Sequence, residues 1–244
     1  MKRLLLAALS LALTSAVLAG PAVAHGTNGG YLFSMPVVKS PTEKVGLLVV
    51  LPGKDVKAKL ENDNWAFAAA QNGLALVVLE VNYAQVRQER DVDTLHDRIQ
   101  AIINEARAEQ PAIEGGPAFL GGSSRGGMAA IALALRHPKG YRAIGVACGA
   151  MLAMGADDDS SNAKGQSFFL VHGSLDTEVP ITYFSRTVNR LSADGGFIET
   201  YVHKGAGHNL DTGDYLRIVK WMAGIRALAK PRPSSLARPG AANP

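Results

Sequence analysis

The residues best suited to chemistry lie in one short stretch. Gly122-Ser123-Ser124-Arg125-Gly126 fits G-x-S-x-G, led in by apolar Ala118-Phe119-Leu120 and followed by a small, apolar, helix-like run over 127–135. A serine held at a sharp strand-to-helix turn is presented as a nucleophile. The residues two before and two after it must be nearly free of side chain to avoid collision. Gly122 and Gly126 meet that demand around Ser124, whereas Ser123 has Arg125 two residues after it. A serine hydroxyl is a poor nucleophile at neutral pH and needs a neighbouring base.

Two later loops supply what Ser124 lacks. Val171-His172-Gly173-Ser174-Leu175-Asp176 offers a carboxylate, and Lys204-Gly205-Ala206-Gly207-His208 offers an imidazole. His208 would take the serine proton and return it to the leaving group, while Asp176 would fix the imidazole tautomer and stabilise its charged form. The oxyanion of a tetrahedral intermediate needs backbone donors. Arg125 at the start of the following helix is one candidate, and Gly53 or Lys54 in Pro52-Gly53-Lys54 is the other. Losing one such donor typically costs about 3 kcal/mol of transition-state stabilisation. Asp157, Asp158 and Asp159 compete for the acid role but follow an earlier strand, and Asp211 is too near His208 in sequence to orient it easily. His172 is expected to brace the acid loop, His137 to end a helix, and His96 and His203 to be structural or exposed. No histidine pair has metal-ligand spacing, so no metal is expected.

These loops must be positioned by a scaffold, and the hydrophobic pattern describes one. Residues 47–51, 75–81, 118–122, 143–150, 167–171 and 197–202 read as strands, with 47–51 a continuous apolar run typical of a strand covered on both faces. Helical patterns over 60–71, 92–109, 127–135, 179–192 and 214–229 alternate with them. Residues 25–46, broken by Pro36 and Pro41, read as an extended lead-in with one or two edge strands. Strand and helix in alternation predict an α/β fold, a mostly parallel central sheet with helices on both faces. In such a sheet the reactive groups belong on loops after the carboxyl ends of strands, where the three loops above fall.

The bulk properties set the context. Lys2-Arg3, the apolar run 4–18 and Ala22-Val23-Ala24 form a secretory signal pattern, with cleavage expected before His25. The folded domain is then expected over 25–230, in the periplasm or outside the cell, with no stable membrane anchor left after cleavage. Residues 231–244, rich in Pro, Ala and Arg, are expected to form a disordered tail. Without Lys2 and Arg3 the chain holds 23 basic and 21 acidic residues, a net of +2. No basic cluster alternates with aromatics, which argues against a nucleic-acid partner. Cys148 is the single cysteine, so no internal disulfide is possible, and its apolar surroundings predict a core residue.

With these motifs in place, the chain resembles the α/β-hydrolase family over roughly residues 46–229, and within it the small cap-less esterases of carboxylesterase/phospholipase, dienelactone-hydrolase and prolyl-oligopeptidase type. The Ser124 elbow, the His172-Gly173-x-x-Asp176-x-x-Val179-Pro180 stretch and Gly207-His208 carry the resemblance. It implies an eight-stranded, mostly parallel sheet and hydrolysis of a small-molecule or lipid-like ester through an acyl-enzyme, without a cofactor. The chain departs from its relatives in places. Ser124 stands where dienelactone hydrolases carry cysteine, and Leu51-Pro52-Gly53 where lipases often have His-Gly. Arg125 after the nucleophile is unusual. Its charge would either favour an acidic group on the substrate or pair with a nearby carboxylate, and the pairing is the preferred expectation. The short 151–165 loop lies where larger relatives insert a lid, which implies an open site. A prolyl-oligopeptidase-like peptidase or amidase and a non-catalytic hydrolase-like binding protein are the alternative functions.

Overall fold

The computed structural model describes residues 20, 22–25, 30–86, 89–151 and 161–229. The expected signal segment up to residue 19, the tail from 230, and Asp157, Asp158 and Asp159 with most of the 151–165 loop lie outside them. Eight strands form one sheet: β1 (Val23–His25), β2 (Tyr31–Ser34), β3 (Gly46–Leu51), β4 (Leu74–Leu79), β5 (Ala118–Ser123), β6 (Tyr141–Ala147), β7 (Ser167–Gly173) and β8 (Phe197–His203). Their order is β1-β2-β4-β3-β5-β6-β7-β8. β1 and β2 run antiparallel, β2 within the expected lead-in and β1 reaching it only at His25, while every pairing from β4 to β8 is parallel. Two of the three β1 residues, Val23 and Ala24, lie upstream of the expected cleavage point.

Five helices cover this sheet: α1 (Ala58–Gln71), α2 (Glu89–Glu109), α3 (Arg125–Arg136), α4 (Ile181–Ala193) and α5 (Thr212–Leu228). The two-residue period of a strand divides the core in two. Leu47, Val49 and Leu51 of β3 share one apolar layer with α2, α3 and Phe184 of α4. Leu48 and Val50 share the other with Trp65 of α1 and Ile218, Val219 and Met222 of α5. Both faces of β3 and β4 are therefore fully buried, which accounts for their unbroken apolar sequences. β8 is an edge strand and largely exposed.

The element boundaries differ from the sequence expectation where particular residues intervene. α1 starts two residues early because Glu80 Oε1 accepts the Ala58 N–H at 3.2 Å, satisfying a first-turn donor. The strand expected over 143–150 stops at Ala147, since Cys148 has φ 49° and turns the chain out of the sheet. The polar loop after β4 holds a short 3-10 turn, Tyr83–Gln85. Among the described residues no helix is long and apolar enough to cross a membrane.

Candidate active site

Ser124 sits directly after β5, at the carboxyl end of the sheet's centre, with φ 52° and ψ −118°. An L-residue is strained there and persists only where its surroundings fix it. They do so on both sides, since the Ser124 N–H donates to Ala147 O at 2.7 Å and its carbonyl accepts from the Met128 N–H at 3.0 Å. The flanking glycines are required by contact. A Cβ on Gly122 would lie 2.4 Å from the Gly126 carbonyl, and one on Gly126 would lie 2.0 Å from Leu51 O. The packing that demands Gly126 thus involves β3 and the turn after it, where the candidate oxyanion donors lie.

The loop after β7 and the loop after β8 are stitched to each other. Ser174 N–H donates to His203 O at 3.0 Å, Leu175 N–H to Ala206 O at 2.8 Å, and Gly205 N–H to Ser174 Oγ at 2.8 Å. Gly173 permits the approach, because a Cβ there would lie 2.1 Å from Gly207 O. The result is a 2.8 Å hydrogen bond between His208 Nδ1 and Asp176 Oδ2. An ionised carboxylate only accepts, so Nδ1 carries the proton and Nε2 keeps its lone pair in the neutral ring.

Asp176 is buried and its other oxygen accepts the N–H groups of Glu178 and Val179, each at 2.9 Å. Burial works against its charge, but the Val179 and His208 bonds outweigh it and hold the carboxyl below its ordinary range. His172 braces this loop as expected. It is fully buried, donates from Nε2 to Val179 O at 2.7 Å and stacks on Phe184. Burial lowers its pKa, which keeps it neutral beside Asp176.

Ser124 and His208 line one cavity of about 590 Å³, together with Gly53, Lys54, Leu60, Cys148, Glu178, Leu210 and Tyr215. No hydrogen bond joins Ser124 to His208 among the described residues, and His208 Nε2 lies 3.7 Å from the exposed Glu178 carboxylate. Catalytic hydrogen bonds in a substrate-free site are often long and tighten on binding. The backbone of Gly53 runs beside the serine, since a Cβ on it would lie 3.7 Å from Ser124 Cβ. Arg125 opens α3, so its N–H has no partner within the helix. Cys148 is buried in the cavity wall, and desolvation pushes its thiol up to about 12.

Sequence reasoning missed a buried polar cluster beneath these groups. Glu61 is only 2% exposed and accepts from Ser123 Oγ, next to the candidate nucleophile, and from Trp65 Nε1 at 2.7 Å. Desolvation raises its pKa, against the bonds from Ser123 and Trp65 and the N–H of Gly53. Gly53 and Lys54, the two residues expected to offer the second oxyanion donor, both line the cavity that holds Ser124. Tyr83 Oη pins the same turn from another side by donating to Pro52 O at 2.7 Å. The Glu61–Trp65 spacing of four was the available signal, because it places both on one face of α1.

Other expectations resolve as follows. Asp211 and Asp214 form the capping box of α5, and His203 bonds Asp214 at 2.8 Å. His137 caps α3, and His96 stacks on it and bonds Tyr141. The expected pairing of Arg125 with a carboxylate is corrected, because no ion pair or hydrogen bond of its guanidinium exists among the described residues. Among the described residues, three groups bring possible metal donors within 4.8 Å: Cys148, His172 and Asp176; His25, Glu105 and Glu109; His203, Asp211 and Asp214. Sequence spacing could not show them, since each is assembled by the fold. The first shares Asp176 with His208, and the third serves the α5 cap.

Comparison with known proteins bears on this arrangement. The profile of the family described as phospholipase/carboxylesterase matches residues 77–222, more than half of the chain. Among solved structures, a carboxylesterase from Mesorhizobium loti is similar, with TM-score 0.63 and 17% identity over 83% of this chain and 99% of that one. TT1662 from Thermus thermophilus gives 0.61 and 16% over 86% and 98%, and esterase PE8 gives 0.60 and 20% over 79% and 99%. At these identities the likeness establishes a common fold, the α/β-hydrolase fold. No curated protein matches the chain.

Proposed function

The chain belongs to the phospholipase/carboxylesterase family of hydrolases, and from that premise we propose that it is an exported serine esterase that cleaves carboxylic esters through an acyl-enzyme. The observation that carries the reading is the convergence of Ser124, His208 and Asp176. The serine stands at a strained elbow, the histidine is held through Nδ1 by a buried carboxylate, and serine and histidine share one cavity. The signal pattern of residues 1–24 supports export.

Each step follows from these positions. The Nε2 lone pair of His208 removes the Ser124 proton as Oγ attacks the ester carbonyl carbon. Negative charge gathers on the carbonyl oxygen, where the Arg125 N–H and a donor of the 53–54 turn receive it. Asp176 stabilises the imidazolium without taking its proton. The bond to the alcohol oxygen then breaks, the alcohol leaves with the proton from His208, and the acyl group stays on Oγ. Water repeats the sequence, releasing the carboxylic acid and restoring the serine.

The test is hydrolysis of p-nitrophenyl esters from acetate to palmitate by the wild type and Ser124→Ala. Loss of about a thousandfold or more in the variant is expected. Equal turnover by both proteins would exclude Ser124 as the nucleophile.

A further inference from the structure

Arg125, a residue of intermediate exposure, directly follows Ser124 and lines a second cavity, of about 840 Å³. The two cavities share Lys54, Asp55 and Val56, so they adjoin at the turn that carries a candidate oxyanion donor. Four cations line the second cavity, Lys54, Lys57, Arg98 and Arg125, against the carboxylates of Asp55 and Glu80. Neither carboxylate pairs with Arg125. Asp55 is exposed and lies 3.8 Å from Lys54, and Glu80 caps α1 while its charge faces Arg98. Arg98 also donates to the carbonyls of Gly30 and Glu80. Among the described residues Arg125 and Lys57 have no counter-charge.

Lys57 is exposed, whereas Arg125 has no ion pair or hydrogen bond among the described residues to account for it. A positive side chain at the first position of α3 opposes the helix dipole. Its fork of N–H groups meets no acceptor among the described residues and is built to grip a carboxylate or phosphate. The geometry points to a substrate that brings the missing acceptor: an ester carrying a negatively charged group, of which carboxylate is the simplest. That group sits in the Arg125 cavity while the scissile carbonyl lies between Ser124 and the 53–54 turn. The excess positive charge of the cavity would also draw such substrates from solution. This inference rests on the esterase reading of the same site and adds a substrate class to it.

Two matched substrate pairs test it, one with the charge in the acyl part and one with it in the alcohol. The first is p-nitrophenyl hydrogen suberate against its uncharged terminal amide. The second is p-carboxyphenyl butyrate against p-carbamoylphenyl butyrate. The quantity read is the acidic-to-neutral ratio of kcat/KM within each protein, for the wild type, Arg125→Gln, Arg125→Lys and Lys57→Ala. A ratio of about tenfold or more in at least one pair is expected for the wild type, as for a hydrogen bond between charged groups. It should fall toward one in Arg125→Gln, remain intermediate in Arg125→Lys, and shrink with added salt. A wild-type ratio near one in both pairs, or a ratio that survives Arg125→Gln, overturns the inference and leaves the esterase reading intact. Equal loss on acidic and neutral esters in Arg125→Gln also overturns it, since that is a general effect on the oxyanion. Hydrolysis of none of the four by the wild type overturns both. Should Arg125→Gln fail to fold, Arg125→Lys and the wild-type salt dependence decide.

Discussion

Replacing Gly126 with alanine should damage both stability and catalysis, because of where the added methyl would point. Its Cβ would lie 2.0 Å from Leu51 O and 2.5 Å from Pro52 O, where real Cβ atoms essentially never come within 3.0 Å. The end of β3 must therefore retreat by about 1 Å, and its neighbours are backbone, with no flexible tip to swing away. Overpacking of this kind costs about 1–3 kcal/mol. For a domain of this size each kcal/mol moves Tm by about 2–4 °C, so a fall of roughly 2–12 °C is expected. The displaced segment leads into the 53–54 turn, and misplacing a catalytic group by about 1 Å costs about a hundredfold in rate. Thermal melts by circular dichroism and kcat on a p-nitrophenyl ester, measured below the melting range, report the two effects separately. Gly224→Ala is the control, since that glycine is exposed in α5 with nothing within 4 Å of the added carbon. It should be active and more stable by about 0.5–1 kcal/mol. If Gly126→Ala melts with the wild type and keeps its rate, the packing argument for the elbow is wrong.

Two further substitutions probe the groups around it. Asp176→Asn presents an amide to His208 Nδ1, which reverses the tautomer and puts the proton on Nε2. The expected loss in kcat is about 10⁴-fold in a folded protein, and a loss under tenfold would show that Asp176 does not orient the base. Glu61 has a raised pKa in the folded chain because it is desolvated. Between its ordinary value of 4.5 and the raised one, the unfolded chain has released this proton and the folded chain has kept it. Stability therefore falls as pH rises through that window. Glu61→Gln removes this dependence, so urea melts from acid to neutral pH should show the wild type losing ground to the variant above about pH 4.5. Parallel curves would mean that Glu61 ionises as freely folded as unfolded.

Much of the scaffold was legible because its elements obey simple periods. β3 and β4 read as buried strands since every residue faces one core layer or the other. The elbow was legible because two glycines and a serine at fixed spacing answer one steric problem. Asp176 and His208 could be singled out by their loops, since chain order and strand ends are properties of sequence. What could not be read depends on contacts between distant segments. The place of β2 beside β4 is set by pairing, which no local pattern encodes. Glu61 looks like any charged helical residue until Ser123 and Trp65 are seen to close over it. Arg125 was expected to find a carboxylate, and only the fold shows that Glu80 turns to the start of α1 and that Asp55 lies by Lys54. The end of β6 at Cys148 was hidden too, because an apolar run does not announce a positive φ.

The central claim is that Ser124 is the nucleophile, and covalent labelling tests it most directly. The protein would be treated with a fluorophosphonate, weighed intact, digested and mapped by mass spectrometry. One adduct per chain on Ser124, with none formed by Ser124→Ala and with ester hydrolysis lost in step with labelling, is the predicted result. An adduct on Ser123 or elsewhere, or persistent hydrolysis in a fully labelled or Ser124→Ala protein, would contradict it.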